Sequence, residues 1–340
     1  MLRYLTAGES HGKYLTGILE GFPAGVRVSP AYIAGQLRRR RQAPGRSARQ
    51  AVETDEFEIT AGLSRGVTTG APIAVSLLNS GRALPAPSSL PRPGHADLPG
   101  MLKFGTLDAT LVRERASARE TAMRVALGSF ARRLTEQLGI DINSRVTGLG
   151  RLTSLNAAAT AAELLRARRA GDTLGGTFEV TAEGLPAGLG SCMHWDRRLG
   201  PRLAAAMLGI NGVKGFEIGG GFGLAAESGI RAAGEPELSG GLDGGITNGR
   251  TLTLRCAVKP VPGLPGGALS TDIRTFGKKL CVSKTSDTTA VFAAAVVGEH
   301  AAALELASAL LEKFGGDSLP EIGARLEEWR KSTGKILRRV

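Results

Sequence analysis

Apolar and polar residues alternate in two rhythms along the chain, and each change of rhythm marks an element. Short β-favouring runs at Leu2–Thr6 and Tyr14–Leu19 flank a loop bracketed by glycines, which predicts strand, tight loop, strand. Ser29-Pro30 supplies an N-cap and a first-turn proline, so a helix is predicted through about Arg41, ended by Pro44-Gly45. Thr54–Thr60 and Ala71–Leu78 are further strand candidates, and Ala83–Pro99, rich in Pro and small residues, predicts an irregular loop.

The clearest helix starts at Ser117, where "SARE" fits a capping box with Glu120 at the third helical position. Leu127, Phe130, Leu134 and Leu138 follow at helical spacing, with Gly139 as a stop. Ala157–Ala170 and Glu299–Phe314 predict two more helices, the latter stopped by Gly315-Gly316. Ser318 and Glu321 repeat the capping pattern before a last helix to about Lys331. From Thr177 to Pro262 the chain is glycine-punctuated and strand-like in parts. No linker divides it and no repeat is visible, so one α+β domain is expected over residues 1–340, mixing sheets with a few long helices.

Composition narrows the function. Residues are 42% hydrophobic but only 4% aromatic, so Ala, Leu, Val and Ile must build the core. Net charge is +12, which suits nucleic acid, an acidic membrane or small anions. The charge is spread along the chain and aromatics for base stacking are few, which argues against nucleic acid. The longest apolar run, Ala290–Val297, is far shorter than the roughly 20 residues a bilayer needs, and the start lacks a signal-like core. No membrane contact is expected. Cys192, Cys256 and Cys281 are far apart, odd in number and in no metal-like spacing, so they read as buried, reduced thiols of a cytoplasmic, metal-free protein.

Five stretches carry candidate chemistry. In "GESHG", His11 is of the side-chain type that can give or take a proton in the neutral range, and its flanking glycines offer a ligand close approach to the backbone; a solvated turn is the alternative. In "RPGHAD", Arg92 and His95 stand on a stiffened Pro-Gly turn, which is equally readable as an ordinary loop. "RERASARET" places Arg113, Arg115 and Arg119 at a predicted helix N-terminus, where an anion would relieve their opposition to the dipole. "RRRRQAPGRS" ends a helix in arginines and turns Arg46 back toward them, as a solvated end or an anion clamp. In "KTSDTT", Asp287 is either a general base or a helix cap. "EIGGGFG" and "GGLDGGITNG" fit neither a phosphate loop nor a dinucleotide fingerprint, and His194 and His300 read as structural. These features suit a cytoplasmic enzyme acting on a polyanionic small molecule without naming its reaction.

"GESHG", "RPGHAD", "RASARETAMRVA", "DTLGG", "GLGS", "GGITNG" and "EKFGGDSL" stand in an order that resembles the chorismate synthase family, over nearly the whole chain from Leu2 to about Leu319. The resemblance implies a sandwich of long helices between antiparallel sheets, assembled as a homotetramer. It implies a lyase of the shikimate pathway and aromatic amino-acid biosynthesis, converting 5-enolpyruvylshikimate 3-phosphate to chorismate by 1,4-elimination of phosphate. Reduced FMN is required although no net redox change occurs. The family's roles carry over to His11 as proton donor to the leaving phosphate, His95 as proton donor at the flavin, and Asp287 as the group removing the C6 proton together with flavin N5. Ser10 and Ser117 match serines of the same network. Arg40, Arg46, Arg92 and Arg119 match substrate-binding arginines. Arg115, Ala116, Ser117, Asn211, Gly212, Gly249 and the run Lys259, Pro260, Val261, Pro262, Gly263 match FMN contacts.

The chain departs from the family pattern in five places. Thr285 stands where most members have Arg, and Phe292 replaces a usual proline. Arg231–Leu238 lacks the family's acidic pair and Asn, while Asn156–Gly171 and the loop before Pro91 are short. Thr285 keeps open an alternative, a flavin-binding relative without the activity. No nicotinamide fingerprint is present, so a separate flavin reductase is the expected partner, with NADPH as an indirect electron source.

Overall fold

Strands β1 (Arg3–Ala7) and β2 (Tyr14–Glu20) pair antiparallel, with Thr6 opposite Gly17. Along β2, Leu15, Gly17 and Leu19 are buried while Tyr14, Thr16 and Ile18 are exposed, the period-two signature of a sheet covered on one face. Helix α1 (Pro30–Arg41) starts where expected: the Ser29 side chain accepts from the Tyr32 N–H, and four arginines in the last turn suit the dipole. Strands β3 (Phe57–Ala61) and β4 (Ile73–Leu78) complete an antiparallel sheet in the order β1-β2-β4-β3. The structure, a computed structural model, describes residues 2–47, 54–80, 85–283 and 286–337.

In the first half two helices appear that the sequence did not predict. The stretch to Pro99 turns helical at Asp97, giving α2 (Asp97–Phe104), and α3 (Ala109–Ala116) follows with Asp108 as its N-cap. Arg113 and Arg115 therefore lie in the last turn of α3, where they suit its dipole, not at a helix N-terminus. After Ser117 comes a 3-10 turn, Ala118–Glu120, before α4 (Thr121–Gln137). Ser117 does cap, accepting from the Arg119 N–H, but the Glu120 side chain accepts from Thr6 Oγ1 and Arg124 Nε.

The second half supplies β5 (Asp141–Leu149), α5 (Ala157–Arg169), β6 (Gly176–Glu183), α6 (Leu199–Leu208), β7 (Val213–Ile218) and β8 (Leu252–Val258). Its antiparallel sheet runs β5-β6-β8-β7. A hairpin of β9 (Ala268–Thr271) and β10 (Lys278–Cys281) precedes the last helices, α7 (Val291–Phe314) and α8 (Leu319–Leu337). Helix α7 starts at Val291 instead of Glu299, because the apolar run from Ala290 forms its opening turns.

Helix α4 packs on β2 and β4, α7 packs on β5 and β6, and the two helices pack on each other with α1 alongside. The result is the expected α+β sandwich with long helices between antiparallel sheets. Helix α7 has 24 residues and is apolar enough to cross a bilayer, but nearly all of that surface is buried inside the fold. Close approach of α4 to α7 depends on Gly128, since a Cβ there would lie 2.6 Å from His300 Cβ. Beside this contact, fully buried Glu299 accepts from Arg39 at 2.6 and 2.7 Å, from Ser144 Oγ at 2.7 Å and from Arg132. Burial would raise its carboxyl, but the hydrogen bonds from Arg39 and the charge of Arg132 outweigh burial and hold it below its ordinary value.

Candidate active site

Between the ends of the two sheets lies a cavity of about 700 Å³, within the usual size range of small-molecule sites. The loop between β1 and β2 forms one wall. Gly8 makes the turn possible: its φ is +106°, and a Cβ would lie 2.4 Å from Tyr14 O. The glycines here thus serve the backbone, and it is Ser10 and His11 that face the cavity. Asn79 Nδ2 holds the loop by donating to Glu9 O and Gly12 O at 3.0 and 2.8 Å.

His11 is gripped by Glu114 of α3. Its backbone N–H donates to Oε2 at 2.7 Å, and its Nδ1 lies 2.8 Å from Oε1. Ser10 N–H donates to the Glu114 carbonyl at 3.1 Å, and Ser117 Oγ donates to Ser10 Oγ at 3.2 Å. Arg119 anchors the same corner by donating to Asn79 Oδ1 at 2.9 Å and pairing with buried Asp55.

His95 has a carboxylate of its own. Its Nδ1 lies 2.6 Å from Oδ1 of Asp97, a fully buried residue in the first turn of α2. Asp97 also accepts from Arg92 Nε at 3.1 Å and Arg113 Nε at 2.7 Å. Burial would raise the Asp97 carboxyl, but hydrogen bonds from His95 and Arg92 prevail and hold it far below the usual carboxylate range. Asp287 also lines the cavity and accepts from Arg46 Nη1 at 2.6 Å and Ser47 N–H at 2.7 Å.

The remaining wall carries more apolar side chains. It is formed by Val258, the run Lys259, Pro260, Val261, Pro262 and Gly263, and by Ala116, Ser117, Asn211 and Gly212. Lys259 Nζ donates to Gly94 O at 2.6 Å, tying this wall to the His95 loop. Among the described lining residues six side chains are cationic, Arg46, Arg92, Arg113, Arg119, Lys214 and Lys259, against the carboxylates of Glu114 and Asp287. Such a surface concentrates anions, and the arginines present paired donors suited to phosphate and carboxylate.

Three expected residues are placed elsewhere. Arg40 is buried behind the cavity wall, donating to Thr121 Oγ1 at 3.0 Å and Ala118 O at 2.9 Å. Burial and the nearby Arg46 charge push its guanidinium down to about 9, so it still carries charge toward Arg46, Arg119 and Asp287 at neutral pH. Arg115 donates to Thr6 O at 2.7 Å and lines a neighbouring cleft with Asn211. Gly249 sits at positive φ in the turn before β8, away from the lining residues. Thr285 lies outside the described residues. Sequence reasoning missed Glu114, Asp97, Asp55 and Asn79 as site residues. The one local signal was the acid two residues after His95, within the quoted motif.

The sequence model of the chorismate synthase family matches residues 2–311. A chorismate synthase of Desulforamulus reducens is 43% identical over 382 residues, covering 97% of this chain and 99% of the relative. One from Moorella thermoacetica is 44% identical over 383 residues, covering 99% of this chain and 100% of the relative. A crystal structure of chorismate synthase superposes with a TM-score of 0.78 at 36% identity, covering 97% of this chain and 98% of that one. With matches that span both sheets, the intervening helices and the cavity walls, the chain belongs to the chorismate synthase family.

Proposed function

We propose that the cavity carries out the family's carbon–oxygen lyase reaction on 5-enolpyruvylshikimate 3-phosphate, removing phosphate and the C6 proton to give chorismate. The observation that carries this reading is the meeting of His11, His95 and Asp287 around one cation-rich cavity, from positions far apart in the chain. His11 gives a proton to the departing phosphate, whose charge also needs the surrounding cations. Asp287, lining the same cavity, is the group that receives the C6 proton. Arg46, Arg92 and Arg119 hold the substrate's phosphate and carboxylates, with Arg40 adding charge from behind. The Ser10–Ser117 hydroxyl pair orders the hydrogen bonds between His11 and the helix turn.

The residues present fit reduced FMN. On the wall from Lys259 to Gly263, Pro260, Val261 and Pro262 offer apolar surface to a ring, Lys259 N–H donates to Gly212 O at 2.9 Å and Asn211 Nδ2 to Ala116 O at 3.2 Å to gather these segments, and cations are at hand for the cofactor's phosphate. When bound, reduced FMN supplies the electron density the elimination needs. His95, held by Asp97, keeps a proton donor at that wall. Arg115 braces the adjoining strand, and Gly249 is assigned to the cofactor on the family pattern alone.

A homotetramer is the expected assembly; it accounts for exposed apolar side chains such as Leu5, Leu102, Phe104 and Leu269. Electrons for FMN come from a separate reductase using NADPH, in keeping with the lack of a nicotinamide fingerprint. A cytoplasmic location agrees with three free cysteines, of which Cys256 alone is buried as expected while Cys192 is exposed and Cys281 half-buried. The deciding experiment is anaerobic incubation with chemically reduced FMN and substrate, from which chorismate and phosphate are expected in equal amounts. FMN binding without either product would overturn the reading.

A further inference from the structure

We propose that Glu114 is the positioning residue for His11, fixing the ring as the Nδ1–H tautomer so that Nε2 is the nitrogen a ligand in the cavity meets. The proposal rests on the reading of His11 as the proton donor, but its geometry stands by itself. Glu114 is buried, and both its oxygens are committed to His11, one to the backbone N–H at 2.7 Å and one to Nδ1 at 2.8 Å. Its carbonyl takes the Ser10 N–H at 3.1 Å, so one residue of α3 sets the backbone and the ring of the loop together. Closing a loop does not call for a buried carboxylate. A charge taken out of water carries a desolvation penalty that a neutral acceptor would avoid.

The same device recurs independently at the second histidine, where Asp97 Oδ1 lies 2.6 Å from His95 Nδ1. Both carboxylates sit on helices and are buried, and both address Nδ1. In both rings a buried carboxylate meets Nδ1, while at the second, His95 Nε2 lies 3.1 Å from Arg92 Nη2.

The proton balance follows. As imidazolium, His11 donates Nδ1–H to Glu114 and Nε2–H to the leaving phosphate oxygen. Transfer of the Nε2 proton to that oxygen, as the carbon–oxygen bond breaks, leaves neutral His11 as the Nδ1–H tautomer, the form an accepting carboxylate holds. Glu114→Gln retains the shape but brings an NH₂ group. With the amide oxygen on the His11 backbone N–H, that NH₂ donates to Nδ1 and shifts the proton to Nε2.

The test uses full-length chain with ¹⁵N-labelled histidine, the His11 signal being assigned by its loss in His11→Ala. Neutral His11 is expected as the Nδ1–H tautomer in the unsubstituted protein and as Nε2–H in Glu114→Gln. In anaerobic turnover, Glu114→Gln should lower kcat about 10²-fold, the scale of a lost acid–base group, with KM changed less than about threefold. Added to His11→Ala, it should cost less than about twofold more. An Nε2–H tautomer in the unsubstituted protein, or multiplicative losses in the double variant, would overturn the assignment. If Glu114→Gln does not fold, the tautomer of the unsubstituted protein decides alone. If that protein shows the Nδ1–H tautomer yet makes no chorismate, the positioning stands and the functional reading falls.

Discussion

Arg46 Nη1 lies 2.6 Å from Asp287 Oδ2, and the next residue's N–H, from Ser47, reaches Oδ1 at 2.7 Å. One short segment after α1 therefore holds both oxygens of a carboxylate that lines the same cavity as His11. Asp287→Asn keeps the shape and removes the charge. If the carboxylate takes a proton during turnover, kcat should fall roughly 10²-fold or more while substrate KM changes less than about threefold. Steady-state anaerobic kinetics read both constants. An unchanged kcat would leave Asp287 as an anchor for Arg46 and Ser47.

Asp97 is fully buried and bound to His95, Arg92 and Arg113. Asp97→Asn leaves two arginines facing an uncharged amide, and breaking a buried charge cluster in this way costs about 3 kcal/mol or more. The carboxyl's folded pKa is depressed, so its stabilisation is present above the unfolded value of about 3.9 and is lost as pH falls below it. Urea unfolding at pH 7 should show the full loss in the variant. The gap between the two proteins should narrow only below about pH 4, and a gap that closes at pH 5 would point to another group.

How much of this was legible beforehand depended on range along the chain. The Ser29-Pro30 start of α1 rests on neighbouring residues, and the structure keeps it within a residue. Helix α3 was not legible because it has only eight residues and its few buried apolar side chains pack on α2 instead of the main core. The histidines and Asp287 were legible as motifs, whereas Glu114 stands 103 residues from His11 and no local pattern connects them. The burial of Arg40 was not legible for a related reason. A run of four arginines at a helix end reads as solvated or ligand-facing, yet Arg40 is buried and holds the turn that starts α4, while Arg39 reaches buried Glu299.

Gly128 allows α4 and α7 to touch. A Cβ there would meet His300 Cβ at 2.6 Å and its carbonyl oxygen at 2.9 Å, so relief would have to come from shifting α7 itself. Gly128→Ala gains helix propensity worth up to about 1 kcal/mol, but overpacking of rigid helix backbone outweighs it. A net loss of about 1–3 kcal/mol is expected, read as a lower urea midpoint with an unchanged slope. A stabilised variant would mean the helices separate easily, and the sandwich is then looser than the contact indicates.

His300 lies at that contact with no surface exposed; its Nδ1 donates to Val296 O at 2.7 Å, and among the described residues its Nε2 has no partner. Burial pushes its pKa down to about 4; the charge of neighbouring Glu299 opposes this, while Arg132 and Arg39 reinforce it. The unfolded chain therefore binds a proton near pH 6.5 that the folded chain refuses until about pH 4. Stability is complete above about pH 6.5 and declines through this window, by about 2 kcal/mol between pH 7 and pH 5 for this group alone. Glu299, held below its ordinary value, acts in the same direction at lower pH. His300→Asn keeps a donor for Val296 O and removes the titration. Urea unfolding of both proteins at pH 7 and pH 5 should show the smaller decline in the variant. Equal declines would show that protonation of His300 is not linked to unfolding, leaving the acid sensitivity to the carboxylate clusters.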